Sequence, residues 1–302
     1  MSRARRRRRR TAGIAAAVGA VLVVGVGAIA GVVWFLDRTS PPEPERCAAA
    51  LDGTSWYLTP VQAQNAALVV GTSVQRGLPG RAATIALATA LQESRLVNID
   101  YGDRDSLGLF QQRPSQGWGT PEEIMDPVYS TGAFFDGLVE VRGYQDMEVT
   151  DAAQAVQRSG FPEAYAQHET RSRAWASALT GHSPGAVTCT LPPVAETDAP
   201  TGDAAVATLT ELAARDLGLP TDAVRAGDDG TTVRIDTAGL PLKQKLSTWA
   251  VAHWAVATAS STGAEEVRAG RQAWSRETGE WETAPGAAHP PAGAVVVVLP
   301  AG

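Results

Sequence analysis

The chain has 302 residues, 44% of them hydrophobic, which is long enough for two domains and too apolar for an acidic disordered protein. Its net charge is −6, but seven arginines lie within residues 1–10 (Arg3 and Arg5 to Arg10), so the rest of the chain carries −13. A body that acidic argues against a nucleic-acid partner, because phosphate binding depends on clustered basic charge.

In chain order, the arginine-rich residues 1–10 are followed by a stretch from Thr11 to Leu36 without one charged side chain. About 20 apolar residues span a bilayer core, so the sequence predicts a single transmembrane helix over 11–36. The arginines before it place the N-terminus on the cytoplasmic side and leave residues 37–302 extracytoplasmic, at the cell membrane. A cleaved signal peptide, with Ala28-Ile29-Ala30 as its small-residue site, is the competing reading. Residues 37–46 then form a proline-rich linker.

Residues 47–190 predict an all-α domain. Thr59-Pro60 opens a helix to about Arg76, and Pro79 opens the next, whose ATIALATALQES is apolar on every side and reads as a buried central helix. Thr120-Pro121-Glu122-Glu123 is a capping box, Asp126-Pro127 starts a further helix, Thr150 caps another, and Pro162 opens a last one ending at Gly181. Residues 98–118 are irregular. A second linker covers 191–203. Residues 204–302 predict a small α/β domain, with helices near 204–217 and 241–259, a strand at 231–237, a hairpin over 266–281 and a buried AVVVVL run. The fold class is therefore α+β overall.

Cys47 and Cys189 are the only cysteines, and outside the cytoplasm an even count predicts a disulfide between them. Without CxxC spacing, and with four scattered histidines, the chain offers no metal ligand set, and no cofactor is expected.

Glu93 ends the apolar helix with only Gln92 and Ser94 as polar neighbours. Desolvation and the negative end of the helix dipole both raise a carboxyl pKa there, as protonation of a departing glycosidic oxygen requires. Gln92-Glu93-Ser94, followed by Gly108-Leu109-Phe110-Gln111, resembles the soluble lytic transglycosylases and goose-type lysozymes of the lysozyme-like superfamily. Those families carry a helix-terminal Glu-Ser and then Gly-Leu-Met-Gln about 15 residues on; the separation here is also 15. Their third motif, Ala-Tyr-Asn-Ala-Gly, is echoed only loosely by residues 155–160, with Gln157 inside the echo and Tyr165 shortly after. The longer run 100–127 also resembles a segment of secreted and anchored actinobacterial proteins, and the likeness covers about residues 48–188.

The resemblance implies an enzyme that cleaves peptidoglycan glycan strands between N-acetylmuramic acid and N-acetylglucosamine. Glu93 would be the acid and then the base, while the substrate's own 6-hydroxyl closes an anhydro ring. Ser94, Gly108, Leu109, Phe110, Gln111, Gln157 and Tyr165 would line the substrate site, although Tyr165 equally suits a core position. The alternative is an inactive glycan-binding or scaffold protein on the same fold. Asp103 and Asp105 are candidates for a second carboxylate, or else turn residues bonded to local backbone. Arg104 and Arg113 are candidates for binding peptide-stem carboxylates. Trp249, His253 and Trp254 form either a sugar-stacking platform or a core stripe, and Trp274 and Trp281 suit a cross-strand pair. The oligomeric state is not encoded legibly.

Overall fold

The computed structural model describes residues 25, 31, 32, 34, 44–284 and 289–302. Among the described residues no helix is long and apolar enough to cross a membrane. The span expected over 11–36 lies outside the described residues, apart from Gly25, Gly31, Val32 and Trp34.

The expectation of an all-α domain over 47–190 is corrected by a sheet. Strand β1 (Arg46–Leu51) pairs antiparallel with β2 (Thr54–Leu58) on one side and with β3 (Val187–Thr190) on the other. Nothing local marks β1 as a strand, since RCAAAL has no β-branched residue and no polar–apolar alternation. It is held by partners, one of them far away in sequence. Cys47 and Cys189 are direct cross-strand neighbours and form the expected disulfide, bridging a sequence separation of 142. In the chain-entropy view a ring that long restricts the unfolded state by roughly 4–5 kcal/mol.

The helices begin where local chemistry starts them. Helix α1 (Pro60–Gln75) has Thr59 as N-cap, whose hydroxyl accepts from the Gln62 N–H while the Gln62 side chain accepts from the Thr59 N–H. Helix α2 (Gly80–Ser94) begins after Pro79, α3 (Pro121–Met125) carries the Thr120/Glu123 capping box, and α4 (Pro127–Val139) is capped by Asp126. Helix α5 (Val149–Gln157) starts one residue before Thr150, whose hydroxyl donates to the Pro162 carbonyl instead of capping. Pro162 opens a 3-10 turn, Pro162–His168, that leads into α6 (Glu169–Leu179). Helix α2 is the centre of this part, packed by α1, α4, α5 and α6. Its alanines and Ile85, Leu87 and Leu91 are at most 5% exposed, and small side chains let the neighbours approach closely.

Beyond residue 191 come α7 (Gly202–Leu217), strands β4 (Val224–Ala226) and β5 (Thr232–Asp236), and helices α8 (Gln244–Ala257) and α9 (Ala259–Thr262). Strands β6 (Glu266–Ala269), β7 (Gln272–Ser275), β8 (Trp281–Thr283) and β9 (Ala294–Val298) complete a six-stranded sheet of order β4-β5-β9-β6-β7-β8, every ladder of which is antiparallel. Trp274 and Trp281 are in register across β7 and β8.

Helix α8 packs on this sheet and also on α1, α6 and β3, so residues 45–302 share one core. Trp249, His253 and Trp254 are the joint, at most 8% exposed, and form no sugar platform. The His253 Nδ1–H faces the Ala178 carbonyl at 2.7 Å, and its Nε2 accepts from the Ala186 N–H at 3.2 Å. Burial brings its pKa down to about 4, which keeps the ring neutral in that role. A second joint lies at Asp216, fully buried on α7. Its carboxylate accepts from Arg215 Nε at 2.6 Å and Trp254 Nε1 at 3.0 Å, while its carbonyl accepts from Gln75 of α1.

Candidate active site

Glu93 lies in the last turn of α2, and the chain leaves that helix through two consecutive left-handed residues, Arg95 (φ 55°) and Leu96 (φ 60°). Neither is glycine, so each costs on the order of 1–3 kcal/mol and persists only where its surroundings enforce it. The enforcement is visible. Gln62 donates to the Arg95 carbonyl at 2.7 Å and Asn65 to the Leu96 carbonyl at 3.0 Å, both from α1. The Leu96 N–H returns to Ala90 O, closing the helix end.

Ser94 ties this end to the loop that follows. Its hydroxyl, 7% exposed, lies 2.7 Å from the Leu109 carbonyl and 3.1 Å from that of Ala90. Gly108 has φ 77°, and a Cβ there would stand 2.7 Å from the Ile124 carbonyl oxygen, so both conformation and space demand glycine. Leu109 and Phe110 are fully buried, with the Phe110 ring stacked on Phe134 at 4.6 Å. Neither presents a side chain to a ligand, and their carbonyls accept from Ser94 and Gln157. Gln111 spends its amide inside the loop, donating to the Tyr101 and Gly108 carbonyls at 3.2 and 3.3 Å, and so braces the loop.

The Glu93 carboxyl meets two side chains from elsewhere in the chain. The Tyr165 hydroxyl donates to Glu93 Oε1 at 2.6 Å, and the Gln157 side chain hydrogen-bonds Glu93 while its Nε2 donates to Phe110 O at 2.7 Å. Burial raises the Glu93 pKa above the ordinary carboxylate range, and the bonds from Tyr165 and Gln157 pull it partway back. Tyr165 is fully buried, and burial and the Glu93 carboxylate push its hydroxyl pKa up. It is therefore a fixed donor at neutral pH, with no free ring face for a sugar. Glu93 itself is half-buried and reaches solvent. Beside it, Gln92 Oε1 accepts from Gln167 and faces His168 Nε2, both at 3.1 Å.

The two aspartates do not join this cluster. Asp105 is held by Ser115, whose N–H lies 2.9 Å from Oδ2, and by Arg113, whose Nε lies 2.7 Å from Oδ1. Those bonds keep its carboxyl far below the ordinary range, so it is a loop-bracing anion. Asp103 is exposed, and its carbonyl accepts from the Ser106 N–H in a turn. Arg113 is thus engaged, whereas Arg104 is exposed at a left-handed position (φ 57°). Among the described residues no group of histidine, cysteine, aspartate and glutamate is placed to hold a metal ion.

Sequence reasoning missed Gln62 and Asn65, which hold the end of α2 from α1. Gln62 had a local signal, the Thr-x-x-Gln spacing of a capping box. Asn65 had none, because its partner is 31 residues away. The sequence matches no protein-family model and no curated protein.

Proposed function

We propose that this protein cleaves peptidoglycan glycan strands between N-acetylmuramic acid and N-acetylglucosamine, with Glu93 as the acid that protonates the departing glycosidic oxygen. The observation that carries the reading is one carboxyl, raised by burial yet open to solvent, fixed at the end of the central helix by Tyr165 and Gln157. A carboxyl can donate a proton near neutral pH only when its pKa is held above the ordinary range, and its geometry must be preset.

The reaction balances on that one group. Glu93 gives its proton to the bridging oxygen as the bond from that oxygen to the anomeric carbon breaks. The sugar's own 6-hydroxyl then attacks the anomeric carbon and returns its proton to the Glu93 carboxylate. The products are a free hydroxyl and an anhydro ring, with no water consumed. Asp105 is committed to Arg113 and Ser115, which supports this one-carboxylate route over one needing a second carboxylate to position water. Tyr165 and Gln157 orient the carboxyl, and Ser94 locks the helix end to the Gly108–Gln111 loop. The disulfide supports an oxidising, extracytoplasmic setting for this body.

The test is to incubate the full-length chain with purified peptidoglycan and separate the released fragments by chromatography and mass. Anhydro-muropeptides from the wild type, absent with Glu93→Gln, are expected. Equal release by both overturns the role of Glu93. Retention of glycan without release by either makes the protein a non-catalytic glycan binder.

A further inference from the structure

A cavity of about 600 Å³ lies where the ends of β6, β7 and β9 meet the segment 191–194. None of the residues that line it comes from α1 to α6, so it is separate from the groups around Glu93. Its size falls within the ~300–1,000 Å³ range of small-molecule sites. Leu191, Pro193, Val194 and Val298 give it an apolar wall. The rest of the lining is polar, with Ser275, Arg276 and the glutamates 265, 266 and 277.

Arg276 is the unusual member. It is only 5% exposed, and its bonded acceptors are all backbone carbonyls. Nε donates to Pro192 O at 2.6 Å, and Nη1 donates to Ala259 O and Ala264 O at 3.0 and 3.2 Å. Among the described residues Nη2 has no acceptor. A charged donor buried without an acceptor is costly, and an acceptor arriving in the cavity would relieve that cost. The glutamates set what else the occupant must carry. Glu266 is already engaged, its two oxygens accepting from Arg268 Nε and Nη2, both at 2.7 Å. Glu265 and Glu277 are exposed, and among the described residues neither carboxylate accepts a hydrogen bond. A simple anion would meet these two charges, and a simple cation would leave Nη2 unmet.

We infer that this cavity binds a peptide at a lysine-type residue, whose ammonium meets Glu265 and Glu277 while a backbone carbonyl of the peptide accepts from Arg276 Nη2. The methylene stem between those two groups lies along the wall of Leu191, Pro193, Val194 and Val298. A peptide of this kind carries the acceptor, the apolar stem and the cation together, which is the combination the lining calls for. The segment 191–194 forms one side of the site and is itself held by Arg276, through Pro192 O. The assignment uses no group of the Glu93 cluster, and it stands or falls independently of the glycan reading.

The experiment titrates the full-length chain calorimetrically with the blocked tripeptide acetyl-alanyl-lysyl-alanine amide. The same tripeptide with norleucine in place of lysine, which keeps the stem and loses the ammonium, should bind about tenfold more weakly. Butylammonium, which has the stem and the charge but no carbonyl, should also bind about tenfold more weakly, and it tests Arg276 without altering a buried residue. Glu277→Gln and Glu265→Gln should each weaken the lysine peptide about fivefold and leave the norleucine peptide unchanged. Both positions are exposed, and an unchanged melting temperature establishes that the fold is intact. No binding of the lysine peptide by the parent chain overturns the assignment. So does equal affinity for the lysine and norleucine peptides, equal affinity for the lysine peptide and butylammonium, or unchanged affinity in both glutamine variants.

Discussion

Two carboxyl groups in this protein are pushed in the same direction by the same cause, and they differ in their access to solvent. Glu93, at the end of α2, and Asp216, on α7, both have pKa values raised by burial. Asp216 is sealed, with both oxygens assigned to Arg215 and Trp254, and it joins α7 to α8. Glu93 has one oxygen on Tyr165 and still reaches solvent. A perturbed carboxyl is thus a sign of burial first; access to solvent separates a group that could serve as a proton donor from one that serves only the fold.

The contrast can be broken most decisively at Glu93. Replacing it with Gln should lower fragment release at least ~10³-fold, about 4 kcal/mol in barrier, without lowering the melting temperature. Release rates per folded molecule, beside a melting curve, check this. At Asp216 the effect should be reversed. Asp216→Ala leaves the buried Trp254 N–H without an acceptor and should cost about 2–3 kcal/mol by urea denaturation, with release per folded molecule unchanged. If Asp216→Ala instead abolished release in folded protein, the distinction between the two groups would collapse.

The pH dependence sharpens the same contrast. Because the folded pKa of Glu93 lies above its unfolded value, its favourable contribution is complete below the unfolded value and is lost as pH rises through the folded one. The Glu93→Gln chain should therefore gain on the wild type by a few degrees in melting temperature between pH 4 and pH 8, and not the reverse. Smallest of all, Tyr165→Phe removes a bond that favours the ionised carboxylate. The alkaline limb of the pH–rate profile should move upward, with the maximal rate reduced about fivefold.

The helices were legible because their starts are local: Thr59-Pro60, Thr120-Pro121 and Asp126-Pro127 carry cap and proline within four residues of each other. Strand β1 was not, since its only sequence trace is Cys47 and the distant Cys189. The two cysteines predicted the bond but not the sheet around it. At the site, the spacing of Gln92-Glu93-Ser94 and Gly108-Leu109-Phe110-Gln111 put two segments together on paper that do meet in the fold, through Ser94 and the Leu109 carbonyl. Which atoms Gln111 and Tyr165 bond was not legible, because that depends on partners set by loop geometry, Tyr101 and Gly108 for one and Glu93 for the other. Asp216 reads in sequence as an ordinary polar position on a helix; only the packing of α1, α7 and α8 buries it.

The Cys47–Cys189 bond also has a mechanical consequence. The chain enters the helical part and leaves it at neighbouring points on paired strands, joined covalently. Tension applied between residues 46 and 190 therefore runs through one sulfur–sulfur bond, and the loop carrying Glu93, Gly108 and Tyr165 lies outside the load path.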